Sequence, residues 1–186
     1  SLAKNDKDAA VKAAGDLRGL HPKSPYADQA DLALARFAVD TRDLDEAAKR
    51  LRTVAESSRD PELRLIAQSR LARVLSEQGK HDDALKLLDV TKAGSFTPVF
   101  HEVRGDVLAA KGDVAGARQA YDAALAATTS IQAQAFDREF VELKRDALPA
   151  AATVAAAPAT TPATTPAVTP ATTPAPAAAP AKGGKP

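Results

Sequence analysis

Histidine and cysteine, which commonly act in catalysis and bind metal ions, are scarce in this chain, and its histidines are not grouped. It contains three histidines, His21, His81 and His101, and no cysteine. No two of the histidines stand at the i, i+4 spacing that places two metal ligands on one helix face. We therefore interpret all three as surface histidines and predict no metal site.

Two pairs of carboxylates, Asp82/Asp83 and Asp43/Asp45, are the candidates for acid–base chemistry. Each pair follows an expected turn and begins a helix, where the positive end of the helix dipole favours negative charge. A catalytic carboxylate needs a pocket that shifts its pKa, and neither sequence context indicates one. The sequence has no glycine-rich phosphate loop and no nucleophile elbow. It predicts no enzyme, no catalytic residue and no cofactor.

These residues lie within a framework that recurs along the chain: a turn residue, an alanine five positions later and an apolar residue four positions after that. The four copies are Gly79/Ala84/Leu88, Gly112/Ala117/Tyr121, and more loosely Arg42/Ala47/Leu51 and Asn5/Ala10/Ala14. Their alanines are 37, 37 and 33 residues apart. A helical repeat of this length predicts stacked helix hairpins. Alanine is expected where the two helices of a hairpin come closest, since a leucine there would overpack the contact at a cost of about 1 to 3 kcal/mol.

Helix start signals divide this region into units. Ser24-Pro25 and Asp60-Pro61-Glu62 each begin a helix, because Ser or Asp caps the exposed amides and Pro fits the first position. Residues 65–128 resemble two consecutive tetratricopeptide repeats, without the early Trp of the full signature. We predict an all-α, tetratricopeptide-repeat-like stack (an α-solenoid) with a half unit at 5–20, units at about 25–58, 61–92 and 96–128, and a capping helix at about 131–148.

Two finer expectations concern the later helices. The second helix of the 61–92 unit is expected to run from His81 to Thr91. The capping helix is expected to bury a single stripe, formed by Phe136, Phe140, Leu143 and Ala147, and to expose charges on its other side.

The composition changes sharply at Pro149. From there to Pro186 the chain holds nine of its thirteen prolines and no Asp, Glu or aromatic residue. Such a segment lacks the apolar bulk that would offset the entropy of ordering. Residues 149–186 are predicted to be a disordered tail rich in Ala, Thr and Pro that acts as a spacer. The alternative, a ligand for a proline-binding groove, lacks basic or aromatic anchors.

Charge and length exclude other classes of function. The chain has 25 Lys and Arg against 24 Asp and Glu, a net charge of +1. Because this is not a large excess of positive charge, we do not expect nucleic acid or anionic lipid as a partner. No apolar run approaches the roughly 18 to 20 residues that cross a bilayer. Because the chain has no Met, we expect that Ser1 is not a translation start and that a further segment, with room for a signal peptide or a membrane anchor, lies upstream.

Several short motifs resemble one family. They are Ser24-Pro25-Tyr26-Ala27, Arg50-Leu51-Arg52-Thr53-Val54, Asp60-Pro61-Glu62-Leu63, Arg70-Leu71-Ala72-Arg73-Val74-Leu75, Gly79-Lys80, Val103-Arg104-Gly105-Asp106-Val107-Leu108, Lys111-Gly112 and Leu143-Lys144. Over residues 5–148 they resemble the ancillary SecYEG translocon subunit family (YfgM-like). The resemblance implies a bacterial inner-membrane protein with an N-terminal transmembrane helix and a periplasmic repeat domain. It also implies two partners, the SecYEG translocon and a membrane-anchored prolyl-isomerase-like chaperone.

The first helix of each unit is expected to line a concave face that binds an extended or helical peptide. The repeat register predicts these partner-binding residues: Gln29, Leu32, Arg36, Val39, Ile66, Ser69, Arg73, Val99, Glu102 and Asp106. Arg36 and Arg73 occupy equivalent positions and would bind carboxylates or backbone carbonyls of a partner. The alternative is that both pair with acidic neighbours on a solvated face.

These observations predict a non-catalytic adaptor that tethers a chaperone near the Sec translocon in the bacterial periplasm, with protein partners and no nucleic acid. The alternative is a self-associating structural repeat protein of the cell envelope, such as a cell-division or outer-membrane assembly factor.

Overall fold

The computed structural model of the chain describes residues 2–127 and 136–149, with side chains from residue 8 onward. Within these ranges there is no β-strand, and the helices are α1 Leu2–Leu20, α2 Pro25–Asp40, α3 Leu44–Ser57, α4 Pro61–Glu77, α5 His81–Leu87, α6 Thr97–Lys111, α7 Val114–Ala127 and α8 Arg138–Asp146. Consecutive helices pack as the hairpins α2/α3, α4/α5 and α6/α7. The predicted all-α, tetratricopeptide-repeat-like stack is confirmed. The tail predicted beyond Pro149 lies outside the described residues.

Side-chain caps determine where the first helices of two hairpins begin. Ser24 Oγ accepts a hydrogen bond from Tyr26 N at 3.3 Å. Asp60 Oδ1 accepts from two amides of the first turn of α4, at 2.8 and 3.3 Å. Pro25 and Pro61 follow these caps inside the first turn, where the missing N–H removes no helical hydrogen bond.

The three hairpins turn with the same backbone geometry. The turn residues Arg42, Gly79 and Gly112 have φ values of 62°, 75° and 88°. The next amide donates back to a carbonyl five residues earlier, as Asp43 N to Ala38 O at 2.8 Å, Lys80 N to Leu75 O at 2.8 Å and Asp113 N to Leu108 O at 2.9 Å. This Schellman pattern satisfies carbonyls that the helix end leaves free. Arg42 therefore adopts the left-handed conformation that glycine adopts at the other two turns.

The repeated alanine is fully buried in all three hairpins. Ala47, Ala84 and Ala117 are each 0% exposed. The apolar residues four positions later, Leu51, Leu88 and Tyr121, are buried as well. Because a larger side chain at the alanine would displace a helix, these methyl groups set the distance between the helices of each hairpin.

The helix expected from His81 to Thr91 is shorter than predicted. α5 ends at Leu87, and two 3₁₀ turns, Val90–Lys92 and Gly94–Phe96, lead into α6. The Asp89 carboxylate accepts from Thr91 N at 3.1 Å and from Thr91 Oγ1 at 2.6 Å. These local bonds compete with the helical ones, which is how short polar side chains commonly end a helix.

The expected apolar stripe of the capping helix is wrong. The predicted start of this helix lies outside the described residues, and α8 begins at Arg138, after the cap Asp137. Phe136 precedes α8 and is buried in a cluster with Tyr121, Leu125 and Val141, so it does not share the helical periodicity on which the prediction rested. Val141 is the buried residue of α8, whereas Phe140 is 48% exposed and Leu143 is 64% exposed. Ala147, the last member of the expected stripe, is exposed.

A buried ion cluster attaches α1 to the first hairpin. Arg18 of α1 pairs with Asp28 at 2.8 Å and with Asp31 at 2.6 Å, and Asp31 also pairs with Arg50 of α3 at 2.9 Å. Asp28 and Asp31 are buried, and a buried carboxylate is tolerated when a cation matches it. The cluster therefore fixes α1 against α2.

Candidate protein-binding groove

A groove of about 350 Å³ lies between α2 and α4, with α3 contributing to its floor. We call it the α2/α4 groove. Its apolar lining consists of Leu32, Ala35, Val39, Leu51 and Val74. Its polar lining consists of three arginines, Arg36, Arg70 and Arg73. The groove therefore has an aliphatic floor with positively charged walls.

Two of the three arginines are unpaired. Among the residues that the structure describes, Arg36 and Arg70 make no hydrogen bond and no ion pair, and both are exposed. A guanidinium keeps its charge and presents a planar set of donors that matches a carboxylate. Arg36 and Arg70 are therefore available to an acidic group from another molecule.

Arg73 belongs to a group of paired polar side chains, which we call the α6 cluster. Its members are Arg73, Glu102, Asp106, Tyr121 and Lys144. Arg73 lies 3.3 Å from Glu102 and 3.8 Å from Asp106. Lys144 of α8 pairs with Glu102 at 2.7 Å and with Asp106 at 2.9 Å, and Tyr121 Oη donates to Asp106 at 2.9 Å. The α6 cluster joins α4, α6, α7 and α8. Within it, the positive charge of Arg73 is paired with carboxylates of the protein itself.

Tyr121 keeps its proton in this cluster. Burial, together with the charge and the hydrogen bond of the Asp106 carboxylate, raises the pKa of Tyr121 well above its ordinary value. Both effects oppose formation of a phenolate. The phenol therefore acts as a hydrogen-bond donor that holds α7 to α6.

A family comparison identifies the fold. The family model of the tetratricopeptide repeat-like domain matches residues 1–150. The chain belongs to this family. A comparison with solved structures found no match.

The tetratricopeptide repeat-like domain has curated relatives named ancillary SecYEG translocon subunit. It is 37% identical over 101 residues to that of Escherichia coli K12 (54% of this chain, 49% of the relative), 33% over 132 residues to that of Neisseria gonorrhoeae FA 1090 (71% and 62%), and 32% over 102 residues to that of Aggregatibacter actinomycetemcomitans (55% and 50%). The resemblance predicted from the motifs is confirmed. The matches cover about half to three fifths of the length of these relatives.

The repeat domain brings four of the ten predicted partner-binding residues together. Leu32, Arg36, Val39 and Arg73 line the α2/α4 groove. Gln29, also on α2, is exposed. Of the two equivalent arginines, Arg73 pairs with acidic neighbours, whereas Arg36 makes no ion pair with any described residue. Binding of a partner by Arg36 stays a prediction.

The other predicted residues are largely internal. Ile66 and Val99 pack partly buried against the core. Ser69 is buried, and its hydroxyl donates to Ile66 O at 2.9 Å. Glu102 and Asp106 are engaged in the α6 cluster. Partner binding by these residues stays a prediction.

Sequence reasoning missed Arg70 and Lys144. Arg70 stands one helical turn before Arg73, so the same register that selected Arg73 places Arg70 beside it on α4. Lys144 was not selected because the expected stripe of the capping helix placed Leu143 inward. The acidic pair Glu102/Asp106, one turn apart, was the available signal that a cation must come from elsewhere.

The histidines lie away from the groove. His21 is exposed, His81 Nδ1 lies 3.2 Å from Ser76 Oγ, and burial followed by the charge of Arg104 lowers the pKa of His101. Within residues 2–127 and 136–149, no group of three or more His, Asp or Glu is arranged to hold a metal ion. None of the described helices has both the length and the apolar character of a membrane span.

Proposed function

We propose that this chain is a non-catalytic protein-interaction adaptor that works at the bacterial Sec translocon. In the full-length protein, the repeat domain faces the periplasm from a membrane anchor and holds a prolyl-isomerase-like chaperone near SecYEG. Two observations support this: the relatives are named ancillary SecYEG translocon subunits, and stacked hairpins of this class commonly bind peptides.

The chemistry of the α2/α4 groove is the observation that carries the proposal. All polar residues that line it are arginines, which do not deprotonate in proteins and so cannot act as general bases. Acid–base or nucleophilic catalysis needs a group that titrates or attacks, and the groove lining contains none. An aliphatic floor with fixed positive charge favours binding of a protein segment.

The proposal is tested by photocrosslinking in cells that express the full-length protein. A photoreactive amino acid replaces Arg36, and the matched control replaces Arg52, an exposed arginine of α3 outside the groove. We expect position 36, but not position 52, to capture SecYEG subunits or a periplasmic prolyl-isomerase-like chaperone. Mass spectrometry identifies the captured proteins.

Two results would contradict the adaptor. One is that position 36 captures neither class of protein although the variant is produced at the normal level. The other is equal capture from positions 36 and 52, which would show that proximity to the translocon does not depend on the groove. Capture of further copies of the chain alone would support the self-associating alternative.

A further inference from the structure

An adaptor needs a partner segment, and the α2/α4 groove restricts its chemistry. We propose that the groove binds an acidic amphipathic helix of a partner protein. This inference rests on the proposed function for the existence of a protein partner. It adds the class of segment that the partner must present.

The floor of the groove has the length of two helical turns. Leu32 and Val39 both line it and are seven residues apart on α2, which corresponds to about 10 Å along the helix axis. A helix that lies in such a groove presents apolar side chains at i, i+4 and i+7 over the same distance. Two turns of an amphipathic helix therefore cover the aliphatic floor.

The unpaired charges lie on both walls. Arg36 comes from α2 and Arg70 from α4, and neither has a partner among the described residues. Carboxylates that flank the apolar stripe of a bound helix would meet one guanidinium on each side, each able to form two parallel hydrogen bonds. Arg73 contributes less, because Glu102 already lies 3.3 Å from its guanidinium.

The end of the groove beyond Val39 and Val74 has mixed charge. It adjoins a depression that Asp40 and Glu77 line together with Arg42 and Arg73. This depression therefore lacks the wholly cationic polar lining of the α2/α4 groove. The acidic residues of the bound helix are expected beside Arg36 and Arg70.

Single-stranded nucleic acid fits the groove poorly. Proteins that bind it without sequence preference stack its bases on aromatic side chains. The residues that line the α2/α4 groove are aliphatic apart from the three arginines. A peptide with aliphatic side chains and carboxylates matches both features of the lining.

The test is a selection from a displayed library of helix-forming 14-residue peptides, with the whole 186-residue chain as bait. We expect enrichment of Leu, Ile or Val at i, i+4 and i+7, with Asp or Glu flanking this stripe on both sides. Enrichment of the acidic residues should disappear with Arg36→Glu/Arg70→Glu as bait. It should persist with Arg52→Glu, which makes the same charge change on an exposed arginine outside the groove.

Fluorescence anisotropy then measures the most enriched peptide. Arg36→Glu/Arg70→Glu should raise its Kd at least about tenfold, whereas Arg52→Glu should change it less than about twofold. The same peptide with its acidic residues replaced by lysine should regain binding to Arg36→Glu/Arg70→Glu. This rescue shows that the variant is folded, because an unfolded groove would bind neither peptide.

Several outcomes would overturn the inference: no enrichment, enrichment of neutral or basic peptides, or acidic enrichment that the charge reversals leave intact. Sedimentation of the wild-type chain as a dimer that the same reversals abolish would assign the groove to a second copy and overturn it too. Failure of crosslinking in cells with a successful selection would contradict the adaptor and leave the chemistry of the groove in place. Successful crosslinking with a failed selection would contradict this inference alone.

Discussion

The junctions α2–α4 and α4–α6 are successive copies of one repeat packing, yet they differ in charge. Arg36 and Arg73 occupy equivalent positions, 37 residues apart. At the first junction Arg36 has no ion-pair partner in the described part of the chain and lines an open groove. At the second, Glu102 and Asp106 pair with Arg73 and Lys144. The repeat register thus sets where an arginine lies, and the neighbouring helix decides whether that arginine is available to a partner.

The helices at the two ends of the described region have opposite consequences for these junctions. At one end, Arg18 of α1, together with Arg50 of α3, pairs with Asp28 and Asp31 of α2, so these two acids are not available to Arg36. At the other end, Lys144 of α8 joins the acids of α6. The first junction keeps an unmatched positive charge, while the second is neutralised within the protein.

The largest expected effect comes from separating α6 from α7 at Gly105, beside the second junction. This glycine is buried, and a Cβ added to it would lie 2.6 Å from Tyr121 Cδ1 and 2.9 Å from Tyr121 Cζ. Gly105→Leu would displace the ring from Asp106 and lower the free energy of unfolding by about 3 kcal/mol, the upper range for overpacking. Urea denaturation followed by circular dichroism measures the change in the free energy of unfolding.

Gly15→Ala, with no atom within 4 Å of the added methyl, should instead stabilise α1 by about 0.5 to 1 kcal/mol.

A variant at Gly105 that is as stable as the wild type would show that α6 and α7 separate easily. The α6 cluster would then not depend on close helix contact, and the contrast between the junctions would be one of charge alone.

The next effect tests the charge of the second junction directly. Lys144→Met removes a cation whose side chain is 21% exposed and leaves Arg73 as the one cation of the α6 cluster beside Glu102 and Asp106. We expect a loss of about 1 to 2 kcal/mol in the free energy of unfolding, since partly buried carboxylates lose a hydrogen-bonded partner. Urea denaturation measures it. The control Lys92→Met breaks an ion pair at an exposed turn and should change stability much less.

The repeat was predictable because its causes are local. Ala84 and Ala117 are identified by their distance from a turn glycine, and both caps, Ser24 and Asp60, act within one helical turn. The pairing of Lys144 with Glu102 was not predictable, because it joins residues 42 positions apart whose meeting depends on how α8 rotates against α6. The stripe expected of α8 was wrong for the same reason.

The groove was predictable in part. The register on α2 gave Leu32, Arg36 and Val39, because residues one turn apart share a helix face. Which arginine stays unpaired depended on the acids of the next first helix. Arg36 and Arg73 look alike in sequence and differ only once α6 is in place.

A smaller effect is expected from the hydroxyl of Tyr121. Tyr121→Phe should lower the free energy of unfolding by about 1 kcal/mol near neutral pH. The phenol of the unfolded chain ionises near pH 10, whereas burial and the Asp106 charge raise its pKa in the folded state. Its contribution is therefore complete below about pH 10 and falls as the pH rises above that value. Urea midpoints at pH 9 and 11 should show the two proteins converging, and parallel curves would contradict this account.

The smallest expected effect lies at the turn of the first hairpin. Arg42 has a φ of 62°, where Gly79 and Gly112 have 75° and 88°, and a Cβ in this conformation costs about 1 kcal/mol. Arg42→Gly removes that strain but adds freedom to the unfolded chain, so we expect a net stabilisation of about 0.5 kcal/mol. Gly112→Ala, the reverse change at the equivalent turn, should destabilise by about 1 kcal/mol. Thermal and urea unfolding measure both variants, and peptide binding should change little, because Arg42 lines the adjoining depression and not the α2/α4 groove. Destabilisation by Arg42→Gly would contradict this account. It would mean that contacts of the arginine side chain stabilise the protein by more than its backbone strain costs.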